Sequence, residues 1–122
     1  MPISIDALTL AVTNMDDMVT FYNQVLDANL NSFEPFPDAT LYKGTLAGIP
    51  LTLCPNTIAQ VDAQQNRQQF RFRVESAHDT FLNALNNGAT EISAIEEQGD
   101  FLICAVYDPD GNSIVFVQPK PA

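Results

Sequence analysis

Ile5-Asp-Ala-Leu-Thr-Leu-Ala-Val12 and Gln69-Phe-Arg-Phe-Arg-Val74 are the two stretches whose reading decides the fold. Each alternates residue by residue, the period of a strand with one buried face. Each runs directly into a helix start, Asn14-Met-Asp-Asp17 after the first and Ser76-Ala-His-Asp79 after the second. In both, a capping residue stands three positions before an acid, which suits the unpaired N–H groups and the positive end of a helix. Helical spacing then predicts a helix from about Met15 to Asp27, with Met18, Phe21, Tyr22, Val25 and Leu26 on one face. A second helix is predicted from about Ala77 to Asn87, carrying Phe81, Leu82 and Leu85 and stopped by Gly88.

Working outward, each helix is followed by three short strand-like runs. In the first half these are Asn29–Phe36, Thr40–Leu46 and Ile49–Cys54. In the second they are Ala89–Glu96, Phe101–Tyr107 and Ser113–Gln118, separated by Gly99 and by the turn Asp108-Pro-Asp-Gly111. Val12 and Val74 stand 62 positions apart, and Gly48 and Gly111 stand 63 apart. Two landmarks agreeing to one residue indicate a unit written twice. The expected architecture is one α+β domain over residues 1–122: a βαβββ module at 1–54, a polar connector without period at 55–67, and a second βαβββ module at 68–122.

The chain of 122 residues is long enough to bury a core without disulfides or metal, and 46% apolar content with eight Phe supports a packed globule. Fifteen acids against five bases leave a formal charge of −10. That balance argues against nucleic acid and anionic membranes, both of which call for basic surface. It favours cationic partners or serves solubility. No apolar run approaches the ~20 residues that cross a bilayer. Met1–Asp6 lacks the basic start and apolar core of a signal peptide. Cys54 and Cys104 have no metal-type spacing and no secretory context, so they read as reduced thiols in a cytoplasmic protein.

Strand alternation sorts side chains into two sets. Leu8, Leu10, Val12, Leu51, Leu53, Phe70, Phe72, Val74, Ile114 and Phe116 are wholly apolar and are expected under the helices. Ala7, Thr9, Ala11, Thr52, Cys54, Gln69, Arg71, Arg73, Ser113, Val115 and Val117 are mostly small or polar and are expected on the opposite face. Such a face forms either a ligand pocket or a solvated sheet surface.

Leu8-x-Leu10-x-Val12 followed by Phe21-Tyr22-Asn-Gln-Val-Leu26 resembles the opening signature of the glyoxalase/bleomycin resistance protein/dioxygenase, or vicinal oxygen chelate, superfamily. Asp108-Pro-Asp-Gly-Asn-Ser-Ile-Val-Phe116 resembles its closing signature, and the likeness extends from Ile3 to Gln118. The resemblance implies paired βαβββ modules, a U-shaped curved mixed sheet with helices outside, and a homodimer. It also implies a divalent metal held by His and Glu or Gln at four equivalent positions. Those positions fall here on Ala7, Thr52, Gln69 and Val115. Those ligands have to be imidazole or oxygen donors converging at about 2.0–2.2 Å. Gln69 alone qualifies, so the expectation is no metal and no cofactor.

The remaining candidates divide. His78 is the only histidine and reads as a helix-end residue, leaving neither cysteine a base arrangement for nucleophilic catalysis. Cys54 either touches a ligand or is an inert buried thiol. Arg71 and Arg73 either offer guanidinium forks to a carboxylate or phosphate, or pair with Glu75 or Asp6. The expected ligand-binding cleft comprises Ala7, Thr9, Thr52, Cys54, Gln69, Arg71, Arg73 and Val115. The expected function is metal-free binding of a small organic molecule, for sequestration or sensing, in place of catalysis. The alternatives are a lyase, isomerase or dioxygenase of the same superfamily with an atypical metal site, and a structural module.

Overall fold

Two four-stranded mixed sheets, each with a helix against one face, account for the chain in a computed structural model that describes residues 3–61 and 65–121. The first module runs β1 (Leu8–Val12), α1 (Met15–Leu26), β2 (Asn31–Phe36), β3 (Ala39–Leu46) and β4 (Ile49–Pro55). A short α2 (Asn56–Ala59) follows. The second module runs β5 (Phe70–Arg73), α3 (Ala77–Asn86), β6 (Thr90–Gln98), β7 (Phe101–Tyr107) and β8 (Ser113–Pro119). The strand orders β1-β4-β3-β2 and β5-β8-β7-β6 repeat one topology, with the first strand of each module parallel to its last.

The apolar set lies where alternation put it. Leu10, Val12, Leu51, Leu53, Ile114 and Phe116 are buried against Met18, Phe21 and Tyr22 of α1 and Ala77, Phe81 and Ala84 of α3, in one core shared by both modules. Phe21 and Tyr22 meet edge to face at 5.3 Å, and Phe72 stacks on Phe116 at 6.3 Å.

Three local expectations change. β1 begins at Leu8, not Ile5. Its parallel partner aligns Leu8 with Leu51, so one step back would place Ala7 beside Pro50, which has no N–H for a ladder. Asn14 makes no side-chain cap on α1. Its Nδ2 donates instead to Asp110 Oδ1 at 3.0 Å, and the Asp110 carboxylate also accepts from the amides of Thr13 (2.8 Å) and Asn14 (2.9 Å). Ser76 does cap α3, accepting from Asp79 N. The connector contains a helical turn, α2, too short to show a period, and its residues 62–64 lie outside the described residues.

The closing turn is tied into the first module. Asp108 is buried, and its carboxylate accepts from Tyr22 Oη at 2.8 Å, from the amides of Asp110 and Asn112, and from Asn112 Nδ2. Asn66 joins the connector to both halves, its amide donating to Asn112 Oδ1 and its side chain to the Ala11 carbonyl.

Candidate functional site

The sheet faces turned away from the helices differ between the modules. In the first, the open face is largely filled. Cys54 is buried there with Ala39 and Leu41 in a satellite cluster, joined by Phe33 of β2 and Ala59 of α2. Thr9 and Thr52 are register partners on β1 and β4, with Lys43 beside Thr52 and its ammonium 4.8 Å from the Phe33 ring. Ala7 is exposed ahead of β1.

In the second module the open face carries the basic residues. Arg71 pairs in register with Val115 and Arg73 with Val117, and Val117 pairs in turn with Ile103 of β7. The two valines are buried and both arginines are exposed. A hollow of about 190 Å³ is lined by Arg71, Arg73, Phe101 and Val117. Arg73 also borders a second of about 480 Å³, with Val74, Glu75, Gln118 and Pro119. Gln69 stands just before β5, and its side chain donates to Ser113 Oγ at 2.6 Å.

Of the eight residues expected from sequence, Gln69, Arg71, Arg73 and Val115 thus share one face of module two. Thr9 and Thr52 share a face of module one, and Cys54 belongs to the satellite cluster there. Phe101 was missed. The alternation of Phe101, Ile103 and Ala105 along β7 carries the signal, because their partners Pro119, Val117 and Val115 place them on the open face.

Electrostatics separates the candidates further. Among the described residues the ion pairs are His78–Asp79 and Lys120–Glu97, so neither Arg71 nor Arg73 is neutralised by Glu75 or Asp6. Burial raises the thiol of Cys54 and pushes that of Cys104 up to about 11. Both thiols are therefore protonated at neutral pH and poor nucleophiles. His78 is exposed at the start of α3, its Nδ1 3.3 Å from Asp79 Oδ1.

A sequence model described as Glyoxalase/Bleomycin resistance protein/Dioxygenase superfamily matches residues 4–116. The chain belongs to this superfamily. No curated protein matches the chain in sequence. Solved structures of the superfamily's fold do match. Hypothetical protein SA1046 from S. aureus has a TM-score of 0.75 at 15% identity, covering 97% of this chain and 95% of that one. The fosfomycin resistance protein FosX from Listeria monocytogenes has 0.73 at 14%, covering 100% and 95%. TnmS3, an antibiotic binding protein from Streptomyces sp. CB03234, has 0.71 at 18%, covering 98% and 99%. At these identities the likeness is one of fold.

The metal that the sequence resemblance implies does not fit the residues at the four positions which that resemblance assigns to it. Ala7 and Val115 have no side-chain donor atom, Thr52 offers a neutral hydroxyl, and Gln69 offers one neutral amide oxygen. Among the described residues no group of three or more His, Cys, Asp or Glu side chains is gathered for an ion.

Proposed function

We propose that this superfamily member binds a small organic molecule on its open sheet face without a metal, for sequestration or sensing. The observation that carries the reading is the hollow lined by Arg71, Arg73, Phe101 and Val117 on the open face of module two, taken with the poor donor set Ala7, Thr52, Gln69 and Val115 at the positions where the sequence resemblance expects metal ligands. Apolar walls with a few polar groups are the usual makeup of a small-molecule site. The cysteines, protonated at neutral pH, and the remote His78 offer no nucleophile–base pair, which further favours binding over turnover. Its fold likeness to the antibiotic binding protein TnmS3 is in keeping with this role. The reading includes a homodimer working in the cytoplasm.

Thermal unfolding in the presence of cationic, neutral and anionic aromatic compounds, each with and without EDTA, tests it. A ligand that binds only the native state raises the midpoint. The expected result is stabilisation by at least one organic compound that EDTA leaves unchanged, with no saturable binding of Zn²⁺, Mn²⁺ or Ni²⁺. Saturable metal binding that Gln69→Ala removes would instead favour a lyase, isomerase or dioxygenase with an atypical centre.

A further inference from the structure

The chain has five basic residues against fifteen acids, and Arg71 and Arg73 stand on the same side of one strand. Their side chains leave the backbone about 6.6 Å apart, the spacing of alternate residues in a strand. Among the described residues neither enters an ion pair, although acids outnumber bases three to one. A guanidinium carries five N–H donors in a rigid plane, a geometry that matches a carboxylate edge.

Beside these two forks the surface turns apolar. Val115 and Val117 are the register neighbours of Arg71 and Arg73, Ile103 continues the row, and the Phe101 ring closes the hollow. At about 190 Å³ the hollow is smaller than the roughly 300–1,000 Å³ typical of drug-sized ligands. A single ring or short branched chain is the scale of body it accommodates. Inorganic phosphate has charge but no body for the Phe101–Val117 wall. A neutral ring has the body but leaves the two forks unmatched.

Resting on the proposal that this face binds small organic molecules, we infer that it takes an organic carboxylate, with the anion across Arg71 and Arg73 and a flat apolar body against Phe101 and Val117. The overall charge of −10 repels anions at long range, so the two arginines act as a local exception close to the face. The consequence is selection: an acid without an apolar body gains too little to stay.

Isothermal titration of the full chain with benzoate tests this, with benzamide as the uncharged isostere and inorganic phosphate as the anion without a ring. Benzoate is expected to bind saturably, and benzamide and phosphate about tenfold more weakly or worse, the worth of one or two charge-assisted hydrogen bonds. The double variant R71Q/R73Q, changed only at exposed positions, is expected to lose benzoate affinity about tenfold or more while its circular dichroism spectrum stays that of the folded chain. Benzamide or phosphate binding as tightly as benzoate would overturn the inference, as would full benzoate affinity in R71Q/R73Q. If benzoate fails to bind while a neutral or cationic compound stabilises the protein, the carboxylate inference falls and the broader binding function stands. If no organic compound stabilises the chain, both fall.

Discussion

Asp108 is a carboxylate 1% exposed with no ion-pair partner among the described residues, an arrangement that normally costs several kcal/mol. Burial raises its pKa above the usual carboxylate range, while hydrogen bonds from Asn112, Tyr22 and the Asp110 amide pull it back down. Tyr22 responds in kind: burial and then the nearby Asp108 charge hold its phenol well above its ordinary value, so it stays a donor. The sign of the coupling follows. The Tyr22 hydroxyl favours the charged form of Asp108, so its contribution is full at neutral pH and fades as pH falls through the raised folded-state pKa of Asp108. Tyr22→Phe should therefore cost about 1–3 kcal/mol in urea unfolding at pH 7. The gap to the wild type should narrow under acid, and a gap constant with pH would contradict the coupling. The motif Asp108-Pro-Asp-Gly111 was legible as a turn, but its buried bond to Tyr22 joins residues 86 positions apart and has no local signature.

At the scale of elements, β3 shows how closely backbones approach. Gly44 lies opposite Leu51 and packs beneath the loop after α1, where an added Cβ would overlap the Ala28 carbonyl oxygen. That same oxygen accepts from Thr45 N at 2.9 Å, so it cannot move without breaking that hydrogen bond. Gly44→Ala should destabilise the chain by about 3 kcal/mol, an overpacking cost, read as a lower denaturant midpoint with unchanged slope. Elements were also where sequence reading succeeded most. Alternation placed Leu10, Leu53, Ile114 and Phe116 under the helices, because a strand's period of two leaves no freedom once one face is buried. On the open face it left Cys54 between a ligand contact and a buried thiol; the cysteine is buried in a cluster with Leu41 of the adjacent β3, with Phe33 of β2 and Ala59 of α2 packed against it, contacts set by strand order and not by any local pattern.

For the whole molecule, fifteen acids and five bases must coexist in one domain, and only two ion pairs occur among the described residues. Net self-repulsion therefore opposes the compact state. Raising sodium chloride from 0.02 to 0.5 M, values chosen to shorten the screening length from roughly 20 to roughly 4 Å, should raise the thermal unfolding midpoint by roughly 3 °C or more. A midpoint that falls with salt would mean that attractive pairs dominate. The molecule also has an asymmetry that its repeat conceals. α3 is capped by Ser76, one residue away, whereas the amides leading into α1 are held by Asp110, 96 residues downstream from Asn14. During synthesis at about 5–20 residues per second, the start of α1 is therefore made roughly 5–20 s before its anchoring carboxylate. The earliest helix to be made is among the last to be fastened, and a chain released short of its closing turn would carry that helix with its N-terminal fastening missing.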